Sequence, residues 1–323
     1  MQFSATPLCC AIQFFFSLSG FFAIRALKGS YINYLIRKMI TITLPVMVYS
    51  IVMYACLYFA EGVELSFGAY FGWLLSMLSS PWWFIPALLP MLMSAPFLYY
   101  LFSKLEPEQE RLLSKTVACL VILGVFYTVL SSLANNYQHS TFAAAIASMQ
   151  KLFPSSLMVG GYSLYFCLGY FLREDIIKNN RTRCLIVPGI VGWVFGALLI
   201  QCGYSRSDPS YLWFFATIAF FLLFDKVQII KKHCIKWISY IAQRCYSIYL
   251  VQSTVISFVL EKGFISEMLG NPAFIPRFFV WFIVACLCWF ISLLFAILVD
   301  ELLLKPIQKL ISRVFASMAS ISL

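Results

Sequence analysis

Charge is what this chain has least of. Its 323 residues carry 23 Lys and Arg against 13 Asp and Glu. That is 11% charged, where an ordinary soluble domain has roughly a quarter, so no segment can coat a sizeable water-soluble domain. Polar sequence is equally short, the longest such stretch being the loop from Ala134 to Ser155. Histidine is nearly absent: only His139 and His233 occur, neither beside a cluster of ligands, and no metal site is predicted. No internal repeat, low-complexity tract or Pro/Gly/Ser-rich linker divides the chain, which reads as a single domain over 1–323. The net charge of +10 raises nucleic acid as a partner, but the basic residues are scattered among short turns, which excludes it.

What the chain has instead is long apolar runs. Nine fill it, at roughly 8–27, 39–60, 82–103, 116–133, 156–172, 184–202, 211–224, 237–260 and 275–299. Most approach the ~17–25 residues that cross ~30 Å of hydrocarbon as a helix. Where no water can satisfy backbone N–H and C=O groups, segments of this kind must be helical. The predicted fold is all-α, a polytopic transmembrane helix bundle of about nine spans, with the lipid bilayer as its first partner.

The positive charges orient it. Arg25, Lys28, Arg37 and Lys38 follow the first run, and Lys104, Arg111 and Lys115 the third. Arg173, Lys178, Arg181 and Arg183 follow the fifth, Lys226, Lys231, Lys232 and Lys236 the seventh, and Lys305, Lys309 and Arg313 the ninth. The alternate loops hold only Lys151, Arg206, Lys262 and Arg277. Lys- and Arg-rich loops stay in the cytoplasm, so odd-numbered spans run inward and the C-terminus is cytoplasmic. Nine spans then put the N-terminus outside with only seven residues ahead of the first run. No charged n-region or cleavage site marks that run as a signal peptide. An additional upstream helix would remove the anomaly, and the chain is expected to lack its natural first span.

Smaller features follow. The aromatic segment Ser66 to Leu78 is too short to span and predicts an interfacial or re-entrant helix on the outer side. Pro81-Trp82-Trp83-Phe84 suits an aromatic anchor, and Pro86, Pro90 and Pro96 predict a kinked third span. Gly192 and Gly196 form a small-xxx-small surface for close helix approach. Residues 301–323 read as an amphipathic basic tail on the cytoplasmic surface. The eleven cysteines are not a disulfide framework: Cys119, Cys167, Cys286 and Cys288 sit within spans as small apolar side chains. Cys286 and Cys288, two apart, should point in different directions. Cys9, Cys10 and Cys202 fall near the outer face and could pair, which spacing alone leaves open.

Four segments carry a resemblance. They are Phe14-Phe15-Phe16-Ser17-Leu18-Ser19-Gly20-Phe21-Phe22 with the following Arg37-Lys38 and Leu44-Pro45, then Trp82-Trp83-Phe84-Ile85-Pro86-Ala87-Leu88-Leu89, then Tyr165-Phe166-Cys167-Leu168-Gly169-Tyr170-Phe171, and Tyr246-Ser247-Ile248-Tyr249-Leu250-Val251-Gln252. In this order and spacing, over nearly the whole chain, they resemble the acyltransferase type 3 family of integral-membrane acyltransferases. The resemblance implies one span more than the nine counted here, an opening helix with an arginine and a histidine central to catalysis, and a location in the bacterial inner membrane. This chain begins after that point. Gln252 stands where the family has a titratable histidine, and Thr41 where it often has a further arginine.

Transfer from a thioester to a hydroxyl requires that the donor's phosphates be held, the hydroxyl lose a proton and the oxyanion be stabilised. The resemblance implies acyl-CoA as co-substrate, acetyl-CoA in the first instance, with no bound cofactor, and a glycan or lipid-linked glycan as acceptor. Arg37 and Lys38 are its expected donor-binding residues, on the cytoplasmic side. Ser19, Trp83, Tyr249 and Gln252 are expected to line the cavity. Arg244, inside the eighth run, is expected to snorkel to the cytoplasmic boundary. No catalytic residue is assigned: His139 and His233 read as solvated loop residues. The expected function is an O-acetyltransferase of a cell-surface polysaccharide such as O-antigen, exopolysaccharide or capsule. The alternatives are a truncated or degenerate, inactive member of the family and, behind it, a polytopic transporter or flippase.

Overall fold

The computed structural model describes residues 11–136, 145, 161–178, 186–201, 213–225, 232–261 and 274–321. Among them there is no strand. The helices are α1 (Ala11–Ala23), α2 (Tyr31–Lys38), α3 (Leu44–Glu61), α4 (Phe67–Ser79), α5 (Phe84–Phe102), α6 (Pro107–Asn136), α7 (Tyr162–Lys178), α8 (Ile186–Gln201), α9 (Phe214–Asp225), α10 (Lys232–Ala242), α11 (Cys245–Glu261), α12 (Phe274–Val299) and α13 (Lys305–Ile321). Local chemistry sets their ends. The Ser30 and Ser66 hydroxyls cap α2 and α4 by accepting the Asn33 and Ala69 N–H groups. Gly62 closes α3 at φ 69°, in the left-handed region.

Among the described residues, three helical stretches are long and apolar enough to cross a membrane: Tyr31–Glu61, Phe84–Phe102 and Phe282–Phe315. Large apolar side chains face outward, Phe59 being 83% exposed and Phe67 81%. In water that surface would be an aggregation hazard; in lipid it is the expected finish. The protein is a membrane protein, helical among the described residues.

One expectation changes. The run 237–260 is not one helix, because the chain turns at Gln243–Arg244 between α10 and α11. The segment after residue 300 is continuous with the last span: helix runs from α12 through a wide π turn, Asp300–Leu304, into α13. The helix expected from Ser66 to Leu78 is there as α4, and α5 runs on through Pro90 and Pro96.

The chain forms two compact units, Met1–Leu27 with Ala87–Gln228, and Lys28–Pro86 with Ile229–Leu323. In the first, α1 lies against α7 at backbone distance. A Cβ on Gly20 would sit 1.8 Å from the Phe166 carbonyl oxygen, and one on Gly169 would sit 2.0 Å from that of Ser17. Phe14 and Phe21 carry the other side of α1 onto the Phe221 ring of α9 at 5.5 and 5.1 Å. Arg173, counted above among the inward-facing charges, is buried and closes α1: its Nη1 donates to the carbonyls of Ile24 at 2.7 Å and Phe21 at 3.4 Å. Glu174 balances it at 3.1 Å, and the Tyr170 ring lies under it.

The glycine seam of α8 differs from the expected one. Gly196 meets the Trp213 ring, but Gly192 has no described atom within 4 Å of a Cβ position. Its real companion is Gly189, where a Cβ would lie 2.4 Å from the Phe215 oxygen of α9. A spacing of two turns, rather than one, keeps both on the contact line. Cys286 is exposed and Cys288 buried, as their spacing requires, and the described cysteines are free thiols. Cys9, Cys10, Cys202 and His139 lie outside the described residues, as does the side chain of His233.

Candidate functional site

The second unit holds Arg37, Lys38, Trp83, Tyr249 and Gln252 among the expected site residues, and two wide turns. Arg37 and Lys38 form the last turn of α2, where cations suit the helix dipole. Arg37 is exposed; Lys38 is half-buried, its ammonium 5.4 Å above the Tyr34 ring. The helix then widens into a π turn, Met39–Thr43. Pro45 supplies the reason: it has no N–H, and its ring crowds the carbonyl one turn back. The second π turn, Asp300–Leu304, stands at the same offset from Pro306.

Widening leaves carbonyls to be satisfied. The Leu44 N–H donates to Met39 O, so the Ile40 carbonyl loses that donor and next faces Pro45, which has none. Gln308 of α13 fills the gap, its Nε2 donating to Ile40 O at 3.2 Å. The Tyr246 hydroxyl donates to Ile42 O at 3.1 Å. Thr41 bends back on its own helix, its Oγ1 donating to Arg37 O at 2.8 Å.

Beneath lies a buried polar cluster. Asp300 is 7% exposed. Its Oδ1 accepts from the Tyr49 hydroxyl at 2.9 Å and from Ser247 Oγ at 2.8 Å. Arg244 is 3% exposed and does not snorkel. Its Nη1 donates to Tyr240 O at 3.0 Å, closing α10, and its Nη2 pairs with Glu301 at 2.7 Å. The Tyr240 ring lies 3.7 Å from the guanidinium carbon, and Glu301 also holds Lys305. A buried cation needs such partners, and Glu301 lay too far along the chain for a window reading of the eighth run to find it.

The aromatic residues form a second seam. The Trp82 indole N–H donates to Leu250 O at 3.0 Å, and the Tyr249 hydroxyl to Pro81 O at 2.7 Å. Phe84 meets the Tyr249 ring at 6.0 Å. Trp83 is half-buried, whereas its neighbour Trp82 is wholly so. Gln252 is exposed on α11. Ser19, half-buried on α1, belongs to the other unit. Trp82→Phe is expected to cost about 2 kcal/mol through the lost N–H donor and the ring volume removed, read as a lowered midpoint of thermal unfolding in detergent.

Among the described residues no group of His, Cys, Asp and Glu is placed to hold a metal ion. A family model for an acyltransferase domain matches residues 3–299. The chain belongs to the acyltransferase type 3 family. No curated protein and no solved structure matches it. In this membrane acyltransferase the four segments behind the resemblance meet in pairs. The segment around Gly20 packs on the one around Gly169, and the Trp82 segment bonds to the Tyr249 segment. Asp300, Glu301, Lys305 and Gln308 lie past the matched range. Asp300 and Glu301 had a sequence signal, being carboxylates at the end of an apolar run. Gln308 had none.

Proposed function

We propose that this acyltransferase transfers an acetyl group from acetyl-CoA to a hydroxyl of a bacterial cell-surface polysaccharide or its lipid-linked precursor. Arg37 and Lys38 hold the donor's phosphates. The protein is a multi-pass protein of the bacterial inner membrane, with its Lys- and Arg-rich turns and its C-terminus in the cytoplasm, where acetyl-CoA is made. The observation carrying the reading is the exposed Arg37 beside half-buried Lys38, next to a π turn, in a chain matched to an acyltransferase domain over residues 3–299. Backbone left open by a π turn is common at functional sites, and guanidinium groups bind phosphate oxygens in pairs.

Arg37→Ala removes one charge-assisted contact. It is expected to raise the KM for acetyl-CoA about tenfold to a hundredfold, from ~1.5–3 kcal/mol per such bond. Arg37→Lys should recover part of the loss, since an ammonium keeps the charge but not the fork. The measurement is acetyl release from labelled acetyl-CoA onto glycan in membranes containing the protein. Unchanged glycan beside a fully inserted chain would overturn the reading. A chain that binds acetyl-CoA without turnover would instead be the inactive family member that Gln252 allows, an amide being unable to titrate near neutral pH.

A further inference from the structure

The donor side of this membrane acyltransferase has a component that the family match does not reach. We propose that Gln308 on α13 is a positioning residue for Arg37 and Lys38, acting through the Ile40 carbonyl that Pro45 deprives of a main-chain donor. The proposal rests on the donor assignment above and names a further residue of the same site.

Three observations converge. Gln308 Nε2 donates to Ile40 O at 3.2 Å, and Ile40 is two residues past Lys38. Met39 O takes the Leu44 N–H, and Pro45 has none to offer, so the side chain is what answers this carbonyl. α13 is itself fixed just upstream: Asp300 is held by Tyr49 and Ser247, and Glu301 by Arg244, before the helix resumes at Lys305. The π turn after Lys38 is therefore docked to a helix anchored by buried polar groups. Loosening that dock frees the last turn of α2 without touching its charges. The two prolines have matching parts here: Pro45 creates the open carbonyl, and Pro306 sits in the turn from which Gln308 emerges.

The consequence is specific. In Gln308→Leu the side chain keeps its bulk, the Ile40 carbonyl loses its donor, and Arg37 and Lys38 remain present. Affinity for acetyl-CoA should weaken about threefold to tenfold, the worth of one neutral hydrogen bond. Gln308→Lys restores a donor of similar reach and should recover the affinity. Pro45→Ala restores a main-chain N–H, so in the Pro45→Ala, Gln308→Leu double variant the side chain is no longer needed and binding should return to within about twofold of the Pro45→Ala parent. A merely structural role would lower the unfolding midpoint in all three without this pattern of rescue.

The experiment titrates the full chain in lipid nanodiscs with acetyl-CoA itself and records the dissociation constant, with thermal unfolding of the unliganded protein alongside. If Gln308→Leu fails to fold, the comparison of Pro45→Ala with the double variant carries the test. Weakened binding that either rescue restores supports the proposal. Unchanged binding in Gln308→Leu, with Arg37→Ala still weakened, overturns it and leaves the donor assignment standing. Binding that neither Arg37→Ala nor Gln308→Leu alters removes both.

Discussion

Replacing Gly20 with leucine should leave no folded protein to purify. A Cβ at this position would lie 1.8 Å from the Phe166 carbonyl oxygen and 2.7 Å from its carbon, both backbone atoms that cannot swing away. Even alanine requires α1 and α7 to part, and overpacking of this kind costs about 1–3 kcal/mol or more. The loss falls on a contact that water does not drive together, because helix association in lipid depends on close packing and hydrogen bonds. Separation would also draw the Ile24 carbonyl from Arg173, whose cap has a 2.7 Å bond to lose. Marginal stabilities of about 5–15 kcal/mol leave little room for both. Gly169→Ala should behave alike, from the opposite face. Gly192→Ala is the control: with no described atom within 4 Å, it should be neutral or stabilise by up to about 1 kcal/mol. Size-exclusion profiles of fluorescent fusions would separate the outcomes. A monodisperse Gly20→Leu would mean that α1 and α7 do not touch there.

The second large effect is at Asp300. Asp300→Leu takes the buried acceptor from both the Ser247 and the Tyr49 hydroxyls, leaving them each other and, for Tyr49, the 3.2 Å contact to Ala296 O. A buried acceptor removed from two hydroxyls that keep weaker partners should cost about 1–3 kcal/mol. Asp300→Asn keeps an acceptor oxygen for both donors and should cost about 1 kcal/mol. Ser247→Ala on top of Asp300→Leu should recover part of that loss, since it removes a buried hydroxyl whose acceptor is already gone. Thermal unfolding of the parent, Asp300→Leu, Ser247→Ala and the double variant in one detergent reads the cycle. Additive losses would show that Ser247 and Asp300 are not coupled.

Much of the helical plan was legible before any coordinates. Runs without charge must be helices in lipid, and α1, α3, α5, α8 and α12 fall, to within one residue at their ends, inside the apolar stretches read from composition. What those stretches hide is which face is buried. A helix that is apolar all round carries no periodic stripe, and the contact line of α8 was accordingly placed at Gly192 rather than Gly189. Charges misled for a different reason. Arg173 and Arg244 sit near helix ends, where topology and capping both want arginine, so counting alone could not separate an anchor from a cap. The π turns were written in the chain as Pro45 and Pro306, but a proline announces a missing donor without saying who replaces it. At Pro45 the replacement is Gln308, from more than two hundred residues away.

The pairing of the four segments constrains how relatives can be recombined. An exchange of Phe14–Phe22 alone sets a foreign surface against the native Gly169 turn, and two glycine notches cut for each other would no longer mate. Grafts that carry Tyr165–Phe171 along with it, or the Trp82 and Tyr249 stretches as a couple, transplant lock and key together. Chimeras should therefore survive by couples and fail by single pieces, however similar the donors.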